Sequence, residues 1–280
     1  MILITGATGN VGREVVKLLL EDGEKVAAVT RNPAAAALPD GAHVVEGNPS
    51  RPQTLASALR GVEAILLSPR AVGDAAAELL SLAARQGVRR VVVLSAVTVA
   101  YGGGYRRFAE AFESVEEAAK ASGLQWTFLR CAQFATNALV WAPQIRATGV
   151  VRGAYGDAAV SPIHPRDIAA VSARALLEPQ HAGYAYALTG PQSLTQRDQV
   201  RLIGEAIGAV LSWQEIPAGQ VRQAMIAQGV AEEIPDRMLG YLAECLRQPG
   251  PSTAVVQQIL GRPALGFAEW AAENAAAFRN

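Results

Sequence analysis

A chain of 280 residues with 50% hydrophobic and 18% charged residues is long enough to bury a large core and too apolar to be disordered. Its 25 basic and 25 acidic residues cancel, so no global field draws it to nucleic acid or to an anionic membrane. No run approaches the roughly 18 apolar residues of a membrane span, and Cys131 and Cys245 form neither a C-x-x-C nor a disulfide framework. The expectation is a protein without metal, reading from its first strand at Met1 with no room for a leader, and therefore cytoplasmic.

In chain order, Met1–Thr5 reads as a short buried strand that runs into Gly6-Ala7-Thr8-Gly9-Asn10-Val11-Gly12 and then a helix from Arg13 to Leu20. A strand turning through glycine into a helix gathers free backbone N–H groups and the positive helix end at one point, which suits a pyrophosphate. Gly6 permits the tight turn, Gly9 lets the backbone approach a phosphate, and Gly12 lets the helix pack closely. Gly23 stops this helix, and Lys25–Thr30 is the second strand. It ends in Arg31-Asn32-Pro33, where dinucleotide folds meet the adenosine ribose. An arginine there in place of a carboxylate accommodates a 2′-phosphate, which favours NADP(H) over NAD(H).

His43–Glu46 is the third strand, and Asn48 after it either borders adenine or serves as a plain turn residue. A short helix over about 54–59 leads to the strand Ala64–Leu67, which ends in Ser68-Pro69 across the switch point from the first strand. A helix over about 74–86 and the strand Arg90–Leu94 repeat the unit and close on Ser95-Ala96. Strands of Val, Ile and Leu without polar alternation belong in a sheet covered on both faces. The glycine-rich segment from Val97 to Tyr105 is either a lid or a loose connection. A helix over about 106–122 follows, with Phe108, Phe112, Val115 and Ala119 on one stripe, and then the strand Trp126–Arg130 leads to Cys131 and Phe134 near the expected nicotinamide.

Beyond about residue 135 the alternation lapses. Asp167 is the expected N-cap of a helix over 168–177, Tyr184–Leu188 returns as a strand, and Thr195 with Asp198 opens a helix through Ile207. The remainder reads as helices broken at Pro217, Pro235, Pro249 to Pro251, and Pro263. The fold class expected is α/β: a Rossmann-type doubly wound parallel sheet over residues 1–135 and a small, mainly helical C-terminal domain over 136–280. Segments at about 160–190 are expected to return to the sheet, and the helical part to supply the second wall of a cleft.

Several pieces together resemble one family: the glycine loop, Arg31-Asn32-Pro33, Ser122 to Arg130, Phe134 to Asn137, Ile163 to Ala169, Leu188 to Pro191, and Gly261 to Pro263. They are similar, in the right order along nearly the whole chain, to the NmrA-like, atypical short-chain dehydrogenase/reductases. That resemblance implies NADP(H) bound by Gly6, Thr8, Gly9, Asn10, Val11, Gly12, Arg31, Asn48, Ser68, Pro69, Ser95 and Ala96, with Cys131 and Phe134 beside it; Cys131 stands where the family usually has proline. It also implies a small-molecule, flat or conjugated substrate, and the chain is expected to be a monomer or homodimer.

The Tyr-x-x-x-Lys pair of the larger group, a phenol acid with a lysine lowering its pKa, is absent. Lysine occurs only at Lys17, Lys25 and Lys120, and the position four before Glu116, where some relatives keep one, is Phe112. Candidate proton donors are Ser95, Tyr101, Tyr105 and His164. Hydride transfer to an electrophilic acceptor such as a quinone needs no side-chain acid. Two other readings accompany that of an NADPH-dependent oxidoreductase: a non-catalytic NADP(H) sensor or regulator, and a cyclase or isomerase on the same fold. Phe134 and Trp141 are either contacts for a flat acceptor or core residues.

Overall fold

The computed structural model describes residues 1–101 and 109–279. Two compact units divide the chain: one comprises Met1–Tyr101, Ala109–Cys131 and Pro165–Leu188, the other Ala132–His164 and residues 189–279.

The first unit contains β1 (Ile2–Ile4), α1 (Asn10–Glu21), β2 (Val26–Thr30), β3 (His43–Glu46), β4 (Ala64–Leu67), α2 (Pro69–Val72), α3 (Ala76–Arg85), β5 (Arg90–Ala96), α4 (Glu110–Ala121), β6 (Gln125–Cys131), α5 (Pro165–Leu177) and β7 (Ala185–Leu188). Its seven strands form one sheet in the order β3-β2-β1-β4-β5-β6-β7, every neighbouring pair parallel. This is the doubly wound arrangement, with the order reversing between β1 and β4. Strand side chains alternate between two buried faces. Leu3, Ile65, Leu67, Val91, Val93 and Phe128 pack with Leu79, Leu80 and Ala83 of α3 and Val115 and Ala119 of α4. Ile2, Ile4, Leu66 and Val92 project the other way and are equally buried, on the face where α1 and α5 pack together.

The helix expected at about 54–59 is a 3-10 turn at Pro52–Leu55, whereas the one expected over about 74–86 is α3, which begins at Ala76 after a 3-10 turn at Gly73–Ala75. Asp167 does not cap α5 but lies inside its first turn, because Pro165, with φ pre-set for helix and no N–H to leave unpaired, takes the first position. The helix expected over 106–122 is Glu110–Ala121 among the described residues, and positions 102–108, including Tyr105, Phe108 and most of the glycine-rich segment, lie outside them.

In the second unit, helices Ala142–Thr148, Gln196–Ile207, Phe267–Glu273 and Ala275–Phe278 enclose a core of Trp141, Ile145, Val200, Ile203, Phe267, Trp270 and Phe278. Two short pairings accompany them, Leu194–Thr195 antiparallel to Ala159–Val160 and Ser212–Glu215 parallel to Val150–Gly153. Pro235 does not break a helix as expected. It occupies the first turn of Glu233–Arg247, where a missing N–H costs nothing. Among the described residues no helix is long and apolar enough to cross a membrane.

The helix at Gln196 begins with a full capping box. Thr195 Oγ1 accepts from the Asp198 amide at 3.0 Å and donates to the Asp198 carboxylate at 2.6 Å, which in turn accepts from the Thr195 amide. The Thr195 hydroxyl bond holds the Asp198 carboxyl below the usual aspartate range. A carboxylate with a lowered folded pKa stabilises above its unfolded value and loses that contribution as pH falls through the folded one. Thr195→Ala is therefore expected to cost about 1 kcal/mol near pH 7. The gap from wild type should narrow below the ordinary aspartate pKa of about 3.9. Urea melts of both proteins at the two pH values check this, and a gap independent of pH contradicts it.

Candidate functional site

The glycine loop joins β1 to α1. Gly6 has φ of 66°, a left-handed conformation that the turn requires, and Gly9 is the N-cap of α1. A Cβ at Gly12 would stand 2.2 Å from the Gly6 carbonyl oxygen, and one at Gly9 would stand 3.3 Å from the same atom. The helix thus lies against the turn itself as well as the strand. The first helical bond runs from the Arg13 amide to the Gly9 carbonyl at 3.0 Å. The amides of Asn10, Val11 and Gly12 precede it and are left for an outside acceptor. Thr8, Gly9 and Asn10 are exposed, whereas the Val11 side chain is buried and can offer only its backbone.

Thr5 ties this loop to the neighbouring strand. Its hydroxyl donates to Leu66 O at 2.9 Å and accepts from the Ser68 amide at 2.8 Å, and Ser68 lies so near Gly6 that a Cβ there would approach its Cβ to 3.1 Å. Ser68 and Pro69, which starts α2, therefore border the glycine loop. Arg31 follows β2 in an exposed loop and makes no hydrogen bond or ion pair among the described residues. Asn48 forms a turn: its side-chain oxygen accepts from the amide and hydroxyl of Ser50 at 3.1 and 2.9 Å, leaving the amide N–H groups of that side chain as its donors.

At the carboxyl ends of β5 and β6 lies a constellation that spacing alone did not reveal. Ser95, 4% exposed, donates its hydroxyl proton to Glu116 Oε1 at 2.6 Å. Glu116, 1% exposed on α4, also receives Arg130 Nε on Oε1 at 3.0 Å and Nη2 on Oε2 at 2.7 Å. This two-pronged pair raises the Arg130 pKa, the hydrogen bond to Glu116 being the chief cause. A carboxylate so held accepts protons for hydrogen bonds and gives none. Ser95 has only one proton, committed to Glu116, so towards any further group it offers lone pairs.

Lys120 does not join this network. It pairs with Glu117 at 2.8 Å and sits 5.8 Å from the Phe128 ring centroid. Cys131 ends β6 with its thiol buried and pushed far up by desolvation, hence inert as a nucleophile at neutral pH. Ala96 pairs with Cys131 across the two strands, and Tyr101 is half-buried at the end of the described segment. Phe134 and His164 belong to the second unit, where Phe134 bridges Ile163 and His164, 2% exposed, places Nε2 3.3 Å from Glu273. Trp141 is in that unit's core, edge-on to Trp213 at 6.0 Å, so its packing role is the one observed.

A doubly wound sheet whose first turn is a glycine cradle opening on free helix amides defines a dinucleotide-binding protein. The chain matches the NAD(P)H-binding family over residues 6–179, and it belongs to that family, in its NmrA-like, atypical short-chain dehydrogenase/reductase branch. It is 38% identical to a (4-alkanoyl-5-oxo-2,5-dihydrofuran-3-yl)methyl phosphate reductase of Streptomyces griseus subsp. griseus, over 99% of each chain. It is 35% identical to an NAD(P)H azoreductase of Xenophilus azovorans, again over 99% of each. An NADPH-dependent quinone oxidoreductase of Escherichia coli, solved with NADPH, superposes with a TM-score of 0.82 at 26% identity, covering 98% of this chain and 99% of that one. The family binds NAD(P)H, and the residues present fit such a nucleotide: the amides of Asn10, Val11 and Gly12 precede the first helical bond at the glycine turn, and Arg31 stands after β2 where no carboxylate does.

Proposed function

We propose that this protein reduces electron-poor conjugated acceptors, such as quinones and unsaturated lactones, with NADPH. That it is an NAD(P)H-dependent oxidoreductase rests on its family and its reductase relatives. The finer reading rests above all on the Ser95 proton, which is held by Glu116, in a sequence that has no Tyr-x-x-x-Lys. When bound, NADPH supplies a hydride. A simple ketone would need a strong proton donor at the same moment, whereas a conjugated acceptor spreads the incoming electron pair and takes its proton afterwards from water. The relatives' named acceptors, a furanone phosphate, azo compounds and quinones, are all conjugated.

The chain's own residues bind and orient. The amides of Asn10, Val11 and Gly12 would hold the pyrophosphate, Arg31 the 2′-phosphate, Asn48 the adenine edge, and Ser68, Pro69, Ser95 and Ala96 the strand-end side of the cofactor. Cys131, at the end of β6, would lie beside the nicotinamide in this reading, with Tyr101 as a contact for the acceptor. NADPH consumption followed with a benzoquinone, an unsaturated lactone, an azo dye and cyclohexanone tests the proposal. Turnover of at least one conjugated acceptor and rates at least about 100-fold lower with the ketone, some 2.7 kcal/mol in barrier, are expected. Equal rates with cyclohexanone, or no NADPH oxidation with any acceptor, overturn it. In the same preparation Arg31→Ala should lose about tenfold or more of the preference for NADPH over NADH, about 1.4 kcal/mol.

A further inference from the structure

Arg13 lies on the first turn of α1, directly after the last glycine of the loop, and reads in the sequence as an ordinary surface charge. Its side chain instead spans two loops. Nε donates to the Thr8 carbonyl of the glycine loop at 3.1 Å, and Nη1 donates to the carbonyl of Ala37. Ala37 ends the segment that begins with Arg31. It is one of two non-glycine residues with positive φ among the described residues, at 44°. An alanine there is strained by about 1–2 kcal/mol and persists only where surrounding contacts impose it. The bond from Arg13 is such a contact.

The Arg31 segment is thus fastened at both ends. At its start Thr30 Oγ1 accepts from the Asn32 amide at 3.2 Å, and the Thr30 carbonyl accepts from Gly47 at 2.9 Å. At its far end are the Arg13 bond and the buried side chain of Ala36. Between these points Asn32 to Ala35 are exposed. Among the described residues, Arg13 is the side chain that links this loop to the glycine loop.

We propose that Arg13 is a second determinant of 2′-phosphate selectivity: it braces the Arg31 loop against the glycine loop and keeps a second cation beside the ribose end of the nucleotide. Two of its N–H groups bind carbonyls, and the rest of the guanidinium fork remains for an anion. A phosphate between Arg13 and Arg31 gains charge-assisted bonds that a ribose hydroxyl cannot match. The ligand class is a 2′-phosphorylated adenosine nucleotide.

This inference rests on the reading of Arg31 given above, and the test separates the two. Affinities for NADPH, NADH, adenosine 2′,5′-bisphosphate and adenosine 5′-phosphate are measured by titration for wild type, Arg13→Ala, Arg13→Lys and Arg31→Ala. Arg13→Ala is expected to lose at least about tenfold of the discrimination between phosphorylated and unphosphorylated partners, about 1.4 kcal/mol. Its NADH affinity should stay within about threefold of wild type (about 0.7 kcal/mol). Arg13→Lys, which keeps charge but not the fork, should fall between, and it supplies the result if the alanine variant does not fold. Retained discrimination in both Arg13 variants, or equal weakening of both nucleotides, overturns the inference while a discriminating Arg31→Ala effect leaves the Arg31 reading standing. A wild-type protein that binds both nucleotides alike overturns the two together.

Discussion

Glu116→Ala is expected to destabilise the protein by about 3 kcal/mol or more, one of the two largest effects foreseen for a single substitution. Removing one partner of a buried ion pair costs about 3–5 kcal/mol, because the other charge stays behind without compensation. Here that partner is Arg130, whose side chain is 21% exposed, so part of its charge can be hydrated and the lower end of the range applies. The same change leaves the buried Ser95 hydroxyl without its acceptor, adding about 1–3 kcal/mol if no water enters. The network joins α4 to the ends of β5 and β6, so its loss loosens three elements of the sheet's central region at once. Thermal melts should show a drop of roughly 6–12 °C, taking about 2–4 °C per kcal/mol for a chain of this size. Glu116→Gln is the informative companion. It retains an oxygen for Ser95 and for one arm of Arg130 but no charge, and should lie between wild type and alanine. If Glu116→Ala melts within about a degree of wild type, less than about 0.5 kcal/mol, the buried pair contributes nothing and its assignment as the tie between α4 and the sheet fails.

Much of this fold is written in local sequence. The inner strands β1, β2 and β4 are short runs of Val, Ile, Leu and Ala because both faces are covered, and they fall where those runs lie. The glycine loop was legible because each glycine answers a local geometric demand, and so was the Thr195–Asp198 cap. The Ser95–Glu116–Arg130 network was not, since its members stand 21 and 14 residues apart and only the sheet brings them together. Two faint signals existed. Glu116 follows Phe112 by four residues, placing a carboxylate on the stripe that Val115 and Ala119 bury, and Arg130 interrupts an otherwise apolar strand. A charge at a core position asks for a partner. Arg13 left no such signal, because a helix-surface arginine is ordinary until the fold places Ala37 beside it. Pro235 shows the converse: proline was read as a break where it stands in a first turn, and the difference is a matter of which amide the helix needs.

Gly12→Ala is expected to cost the protein its nucleotide. The added methyl would stand 2.2 Å from the Gly6 carbonyl oxygen and 2.9 Å from the Ala7 Cα, both backbone atoms, so no side-chain rotation relieves the clash. Either α1 retreats from the turn or the turn opens. Both movements displace the free amides of Asn10, Val11 and Gly12 relative to β1, and a misplacement of about 1 Å at a binding constellation costs on the order of 100-fold. NADPH affinity should therefore fall at least about 100-fold, about 2.7 kcal/mol, with about 1–3 kcal/mol of folding stability lost to overpacking. Gly9→Ala separates steric damage from loss of ligand approach. Its methyl meets the Gly6 oxygen at 3.3 Å, a contact a small shift accommodates, so this variant should melt within about 1 kcal/mol of wild type. Any loss of NADPH binding by Gly9→Ala then reports a Cβ standing where the phosphate must come near the backbone. Titration with NADPH and urea melts of the two variants decide the matter. If Gly12→Ala binds NADPH within about threefold of wild type (about 0.7 kcal/mol), the glycine turn is not the seat of the cofactor, whatever its spacing suggests.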